Sequence, residues 1–472
     1  MTRFSGIAGS LPSVPGSSRF RRSLGAFVLA AVFVAACTPR GGGTTTTTTT
    51  DVDPTVTTTS TTVPGPTVVP PEEIPGTNSP SLSPDVVERM RKEVAELLAV
   101  TEEVRGLPFL QTPPVAILDE ADFSQRVRDL VASELDPEVL AADGRFYTLM
   151  GMLDPGTDLT ALLLDLYTEQ VAGFYDGDTG ELVVPASADG FTPLQKVTVV
   201  HELVHALTDQ HFGFNDEFER RSEEGNGDDE SAMAALVEGD ATYFQLVYME
   251  SLSPLEALQV ATEALGFDSA VLDAAPSWIQ KDLLFPYEQG LTFVQALVDA
   301  GGIARVDEAY QDPPDTTEQI LEPAKYLRRE PPAAMDPVDV AVAGWQVHDE
   351  GTLGEWGIRL IVGETLRPGE ATQAAAGWGN DSYQVLTDDA DGVAFGFHYV
   401  GESVRDAEEL ADALIAHAKA QMGAGKAIES GGGLLFDNGP VYVFIDRVEN
   451  EIFFVASTDR GAGASIRSQL GV

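Results

Sequence analysis

Apolar residues recur every three to four positions along several stretches of the first 330 residues, the spacing that places them on one face of a helix. One such face consists of Val87, Met90, Val94 and Leu98. Ser83 and Pro84 precede it and supply a capping hydroxyl and a proline suited to a first turn. The same reasoning predicts helices over 123–135 and 159–172, so we expect largely helical structure from about residue 84.

Short runs with strand character interrupt these helices. Residues 114–118 form one predicted strand, and 173–175 with 181–184 form a predicted hairpin. The turn between the hairpin strands is Asp176-Gly177-Asp178-Thr179-Gly180, whose residue types favour tight turns. The first 330 residues therefore combine many helices with a small sheet.

Two long helices are predicted in the middle of this region. Thr192-Pro193-Leu194-Gln195 has the form of a capping box, and no helix breaker follows until Gly213. A second helix is predicted over 229–251. These two helices carry the candidate chemistry described below.

The sequence changes character from about residue 331. Strand-like runs at 393–400, 441–446 and 452–456 surround a predicted helix over 404–420. We therefore expect an α+β protein in which a mainly helical domain over 84–330, with a small sheet, is followed by a smaller α+β accessory domain over 331–472.

The first residues resemble a bacterial lipoprotein signal peptide. Closely spaced arginines at positions 19, 21 and 22 precede an apolar run from Leu24 to Val34, and Val34-Ala35-Ala36-Cys37 has the form of a lipobox. The resemblance implies cleavage before Cys37, its lipidation, and an extracytoplasmic protein anchored to the cell membrane. An uncleaved membrane helix is the alternative, although the run is short for a stable span. Residues 38–83 are rich in Thr and Pro and predict an extended stalk.

The charge balance limits the partners. Lys and Arg number 28 against 75 Asp and Glu, which gives a formal net charge of −47. Such a surface repels phosphate backbones, so nucleic acid is not an expected partner. Cys37 is the single cysteine, so the chain has no second thiol for an internal disulfide.

The strongest chemical signal is His201-Glu202-Leu203-Val204-His205 on the first long helix. Two histidines four residues apart stand one helical turn apart on the same side, where both imidazoles can bind one metal ion. Glu202 is placed to reach a water on that ion rather than the ion itself, which is the position of a general base. The motif therefore predicts a catalytic zinc site.

A catalytic zinc ion needs a third protein ligand, and two candidates compete. Glu238 lies on the second long helix beside Gly239, a small residue that we expect to let this helix pack closely against the first. His211 follows His201 by ten residues, but Thr208 stands where a chain reversal would need glycine. An unbroken helix carries His211 about 15 Å along its axis, so we favour Glu238.

These residues resemble the gluzincin group of zinc peptidases, in which His-Glu-x-x-His on one helix is followed by Glu-Gly-x-Ala on the next. Residues 85–330 also resemble a set of bacterial metallopeptidase-like proteins. The resemblance implies a zincin-like domain, zinc bound by His201, His205 and Glu238, and Glu202 as the base. Phe285-Pro286-Tyr287-Glu288-Gln289-Gly290 is similar to an aminopeptidase segment whose tyrosine steadies the oxyanion, which nominates Tyr287 for that role.

The resulting hypothesis is a membrane-anchored zinc peptidase that acts on peptides or proteins. We expect the substrate to add as a strand along 181–184, Asp209 to orient the ring of His205, and Asp240 to form a structural salt bridge. The alternative is a surface-anchored binding protein with a structural zinc site or with lost catalytic activity. A third hypothesis gives the main function to the C-terminal domain, which would recognise cell-wall polymer or another protein, with the peptidase as its processing arm.

Overall fold

The computed structural model describes residues 69–266 and 269–472. The predicted signal peptide, Cys37 and most of the predicted stalk lie outside these residues. Among the described helices, none is long and apolar enough to cross a membrane. The elements are α1 Pro84–Arg105, β1 Val115–Leu118, α2 Glu120–Glu134, α3 Pro137–Leu149, α4 Leu159–Gln170, β2 Phe174–Asp176, β3 Glu181–Pro185, α5 Pro193–Phe212, α6 Phe214–Glu224, α7 Gly227–Glu250, α8 Pro254–Leu265, α9 Ala270–Ala274, α10 Ser277–Gly301, α11 Ile303–Gln311, α12 Thr317–Leu321, α13 Pro323–Arg328, β4 Trp345–Gly351, α14 Gly354–Gly363, α15 Pro368–Ala375, β5 Trp378–Asp388, β6 Val393–Gly401, α16 Val404–Ala420, β7 Ile428–Ser430, β8 Gly433–Phe436, β9 Tyr442–Val448, β10 Glu451–Ser457 and α17 Arg460–Gln469.

The first predicted helix is confirmed as α1. The Ser83 hydroxyl accepts a hydrogen bond from the Val86 amide, and Pro84 occupies the first turn. Met90, Val94 and Leu98 of the predicted apolar face are all buried. The 3.6-residue period of this segment therefore correctly identified both the helix and the face that it buries.

Ordered structure begins earlier than predicted, before residue 84. Residues 75–79 run beside β1, where the Thr77 amide donates to the Val115 carbonyl and the Ser79 amide donates to the Ile117 carbonyl. Ile74 packs into the core formed by α1 and β1. The predicted stalk over 38–83 is thus too long at its C-terminal end, because a single buried isoleucine among prolines gives little periodic signal.

The small sheet has the strand order β1-β3-β2 within the described residues. β3 pairs in parallel with β1 and antiparallel with β2, so both of its edges are occupied. The hairpin of β2 and β3 is confirmed, and an Asp176 carboxylate oxygen accepts from the Thr179 amide in its turn. The expectation that a substrate strand adds along 181–184 is wrong, because β1 already pairs with 182–185 and β2 with 181–183.

The two long helices form as predicted. Thr192 and Gln195 exchange both hydrogen bonds of a capping box at the start of α5, and the helix ends at Gly213 in a left-handed conformation. α7 runs from Gly227 to Glu250, close to the predicted 229–251. Both helices lie in the interior, with most of their residues buried.

Gly239 has a different packing role from the one predicted. A Cβ on Gly239 would lie 2.3 Å from the backbone carbonyl of Gly290, on α10. A Cβ on Gly290 would lie 2.1 Å from the Ala235 carbonyl oxygen. Because Glu238 faces α5, the next residue is turned by about 100° toward another neighbour. The glycines therefore allow α7 to approach α10, not α5.

The C-terminal part confirms the α+β class. Its strands form an antiparallel sheet in the order β4-β5-β6-β10-β9-β8-β7. One hydrophobic core extends from this part into the helical part, where the Phe146 and Phe395 ring centroids are 5.2 Å apart. His417 of α16 is hydrogen bonded to the Met150 carbonyl at 2.7 Å. The two predicted domains share one continuous core.

A buried acidic junction joins α7 to the C-terminal part. Asp228 accepts from the Thr317 amide at 3.1 Å, and Asp381 accepts from the Leu353 and Gly354 amides at 2.7 and 2.9 Å. Burial raises the pKa of Asp228 to about 8 and that of Asp381 to about 6. Gly354 lies directly against Asp228, since a Cβ on Gly354 would be 1.7 Å from its Oδ1 atom, so the N-terminal end of α7 contacts both halves of the chain.

Gly239→Ala tests the contact between α7 and α10. Alanine improves helix propensity, but its Cβ would clash with the Gly290 backbone, so we expect a loss of about 1–3 kcal/mol in unfolding free energy. Gly369→Ala in α15 is the matched control, because a Cβ there meets nothing within 4 Å. Urea denaturation should show that only the control is neutral or stabilised. Equal effects would contradict the close contact.

Asp228 predicts how stability depends on pH. Its raised pKa means that the folded chain holds a proton which the unfolded chain releases, so its stabilising contribution is lost as pH rises from about 4 to about 8. We expect the unfolding free energy of chelator-treated protein to fall between about pH 5 and 8, by at most about 1.4 kcal/mol per pH unit for this group. Asp228→Asn should flatten the slope, whereas Asp389→Asn in an exposed turn should not. A slope unchanged by Asp228→Asn would contradict the assignment.

Candidate metal centre

The two histidines of α5 stand on one side of the helix, as their spacing predicts. The ring centroids of His201 and His205 are 4.7 Å apart, and both side chains are completely buried. Val197, Val200 and Val204 pack the same helix into the surrounding core. The imidazoles are therefore held by a rigid, buried helix.

Glu238 of α7 completes the group. Its Oε2 atom lies 3.1 Å from Nε2 of His201 and 3.3 Å from Nε2 of His205. One ligand atom from each of the three residues lies within 4.8 Å of the other two. Two imidazole nitrogens and one carboxylate oxygen thus converge on one point, and this arrangement could hold a metal ion.

The protonation states suit metal binding. Burial lowers the pKa of His201, which favours the neutral imidazole that can act as a ligand. Burial alone would raise the pKa of Glu238, but the two adjacent imidazoles hold it below its ordinary value. Neutral histidines and an ionised carboxylate are the forms that bind a divalent cation.

Glu202 lies on the neighbouring face of α5 and is completely buried. Its Oε2 atom accepts a hydrogen bond of 2.8 Å from the Tyr175 amide on β2. Its Oε1 atom has no hydrogen-bond partner among the described residues. Burial and the charge of Glu238 raise the pKa of Glu202, while the Tyr175 amide opposes this shift.

The buried polar atoms fit a divalent cation. Within the described part of the chain, Glu202 Oε1 and His205 Nδ1 are buried without a hydrogen-bond partner. Unpaired buried polar atoms are costly, and two carboxyl groups beside two imidazoles form an electron-rich cluster. A divalent ion bound by His201, His205 and Glu238 would balance this charge.

His211 is not part of the group. It lies in the last turn of α5, and its Nε2 atom is 2.7 Å from the Pro108 carbonyl oxygen. Since α5 continues without a break past Thr208, the helix carries His211 away from the other histidines. The choice between the two candidate third ligands therefore falls on Glu238.

Asp209 does not orient His205, so that prediction is wrong. Its carboxylate accepts from the Tyr175 hydroxyl at 2.9 Å and from the Asn215 amide at 3.3 Å. The ring of His201 is instead hydrogen bonded to Gln245 of α7, whose amide Oε1 atom is the acceptor, 2.8 Å from His201 Nδ1. Gln245 follows Glu238 by about two helical turns. The sequence shows this spacing, but no recognised motif identifies Gln245 from it.

Asp240 forms the predicted structural ion pair. Its Oδ2 atom lies 3.2 Å from Nε of Arg105 and accepts from the Tyr310 hydroxyl at 3.0 Å. Arg105 is fully buried and also pairs with Asp307 at 2.7 Å. This network anchors the side of α7 that faces away from the histidines.

Tyr287 lies beside the group, in the interior of a helix. It follows Pro286 in the interior of α10, and its side chain is buried. Its ring centroid is 6.3 Å from that of His201. The structure thus brings Tyr287 close to the group without assigning it a chemical role.

Comparison with known proteins gives one family model and one distant solved structure. Residues 341–462 match the family model of a domain of unknown function, DUF8575, and this segment excludes the three candidate ligands. No curated protein matches the sequence. A solved structure of a candidate hydrolase with a novel fold from Chloroflexus aurantiacus aligns with a TM-score of 0.34 and 16% identity, covering 52% of this chain and 91% of that one.

Metal analysis distinguishes the two candidate third ligands. We expect purified protein to bind about one equivalent of a divalent metal, and Glu238→Gln to weaken binding by at least about tenfold, because it removes a charged oxygen ligand. His211→Asn should bind as the unsubstituted protein does. The measurement is metal titration followed by elemental analysis after gel filtration. Loss of metal in His211→Asn with retention in Glu238→Gln would contradict the assignment.

Proposed function

We propose that this chain is a zinc-dependent peptidase with a gluzincin-like, zincin-type catalytic domain. The observation that carries the proposal is the position of Glu202, a carboxylate with one unpaired oxygen beside the group of His201, His205 and Glu238. A site built only to stabilise a fold is closed by its ligands and does not need a base next to them.

Zinc is the metal that we assign to this group. Two imidazoles and one carboxylate are a ligand set of catalytic zinc sites in which a fourth position stays open for water or substrate. Magnesium and calcium prefer shells of oxygen ligands, which this group does not offer. When bound, zinc would lower the pKa of a coordinated water and polarise a peptide carbonyl.

Glu202 has the role of general base in this proposal. The Tyr175 amide fixes its Oε2 atom, so Oε1 is the atom that takes the proton from the attacking water and passes it to the leaving amine. Tyr287 is our candidate for the donor that stabilises the oxyanion, because it is the tyrosine whose ring lies beside His201. The substrate class, a peptide or protein, follows from the resemblance of these motifs to zinc peptidases.

The cellular setting is also part of the proposal. Cys37 would be the lipidated N-terminus of an extracytoplasmic protein, joined to the folded part by a stalk that ends before Ile74. The C-terminal sheet would contact cell-wall polymer or another protein. The support is the lipobox sequence and the Thr- and Pro-rich segment after it.

One observation favours the second candidate, a binding protein whose zinc is structural or whose activity has been lost. His201, Glu202 and His205 are fully buried and Glu238 is 5% exposed, so a substrate cannot reach the group unless a covering segment moves. Phe214 at the start of α6 is one of the buried side chains that pack against the group, with its ring centroid 6.1 Å from that of His205.

Glu202→Gln separates the two candidates. The amide keeps the shape of the side chain but cannot accept the proton, so we expect unchanged zinc stoichiometry and a loss of peptide hydrolysis of at least about a hundredfold. The assay is cleavage of an unstructured protein such as casein, with zinc measured on the same samples. Asp209→Asn, which leaves Glu202 unchanged, is the control. Full activity in Glu202→Gln would overturn the mechanism, and an inactive but zinc-bound unsubstituted protein would favour the structural role.

A further inference from the structure

Gln245 is a buried amide that α7 directs toward the histidines of α5. Its side chain is 2% exposed, and its Oε1 atom lies 2.8 Å from Nδ1 of His201. The Nε2 atom of the same ring faces Glu238 at 3.1 Å. The imidazole of His201 is therefore held on both sides by residues of one neighbouring helix.

Helix geometry explains why these two residues act together. Glu238 and Gln245 are seven residues apart, which returns the helix to within about 20° of the same direction. α7 thus presents a carboxylate and an amide to α5 on one face, about two turns apart. The opposite side of α7 is fixed by the ion pair of Asp240 with Arg105, so this face cannot rotate freely.

An acceptor at Nδ1 determines which ring nitrogen can bind metal. A neutral imidazole carries one proton, and an acceptor beside Nδ1 keeps the proton there and leaves the lone pair of Nε2 free. Gln245 provides this acceptor without adding a third negative charge to a buried site that already holds Glu202 and Glu238. His205 has no equivalent, because its Nδ1 atom lacks a partner among the described residues.

We infer that Gln245 is a positioning residue that fixes the tautomer and ring orientation of His201 for metal binding. This inference rests on the proposed zinc site. The competing explanation is that Gln245 is a buried polar residue that contributes only to packing. If Gln245 positions His201, removing its acceptor weakens metal binding and a different acceptor at this position restores it. If Gln245 contributes only to packing, metal affinity does not depend on the acceptor.

The test compares zinc affinity in full-length variants by competition with a chromophoric chelator. Gln245→Met keeps the length of the side chain but removes the acceptor, and we expect zinc binding about 10- to 100-fold weaker. Gln245→Glu keeps an acceptor, although it adds a third negative charge, and should bind zinc at least about threefold more tightly than Gln245→Met. Thr242→Val is the matched control, because this buried residue of α7 has a hydroxyl without a partner in the described chain.

A second measurement applies to the zinc-loaded protein and does not depend on affinity. NMR of histidine-labelled, unsubstituted protein should show a slowly exchanging Nδ1–H signal for His201, and Gln245→Glu should retain this signal. Absence of the signal from the unsubstituted protein would overturn the inference, even if Gln245→Met does not fold. Equal zinc affinity of Gln245→Met and the unsubstituted protein would overturn the inference and leave the proposed function intact. An unsubstituted protein that binds no zinc would overturn both.

Discussion

The packing of α7 against α5 is the contact on which the rest of the site depends. α5 contributes two imidazoles and the candidate base, but the third ligand and the partner of His201 both come from α7. Three independent contacts fix α7 in place: its N-terminal end meets the Asp228 junction, Gly239 lies against α10, and Asp240 pairs with buried Arg105. The candidate metal group is thus built from tertiary packing rather than from a local loop, so contacts far from the group help to hold its three side chains in place.

The packing of α7 against α5 also brings buried carboxyl groups and imidazoles together. Burying two carboxyl groups beside two imidazoles is costly in a core unless a cation or hydrogen bonds compensate. Glu202 has one such bond, from the Tyr175 amide, and its other oxygen remains unpaired in the described chain. Burial strengthens the electrostatic interactions of these groups and also excludes solvent. A peptidase built this way therefore needs a conformational change before substrate binds.

The sequence predicted what local rules control. The capping box and the four-residue histidine spacing depend only on neighbours along the chain, and the structure has both. Glu238 could be predicted as the third ligand because an unbroken helix carries His211 away from His201. Non-local features were missed: β3 is the central strand because β1, far earlier in the chain, pairs with the edge that the local hairpin leaves open, and Asp209 bonds Tyr175 rather than His205. The role of Gln245 and the core shared by the two predicted domains are also non-local features, because helix orientation and side-chain partners follow from three-dimensional packing.

X-ray absorption at the zinc edge on the zinc-loaded, full-length protein measures the ligands of the proposed site directly. We expect one zinc ion bound by two imidazole nitrogens at about 2.0–2.1 Å and by carboxylate oxygen at about 2.0–2.2 Å, with a further light ligand and no sulfur. His201→Ala should remove one imidazole from this shell. A shell of oxygen atoms alone, or one unchanged by His201→Ala, would show that the ion lies elsewhere and that these three residues are not its ligands.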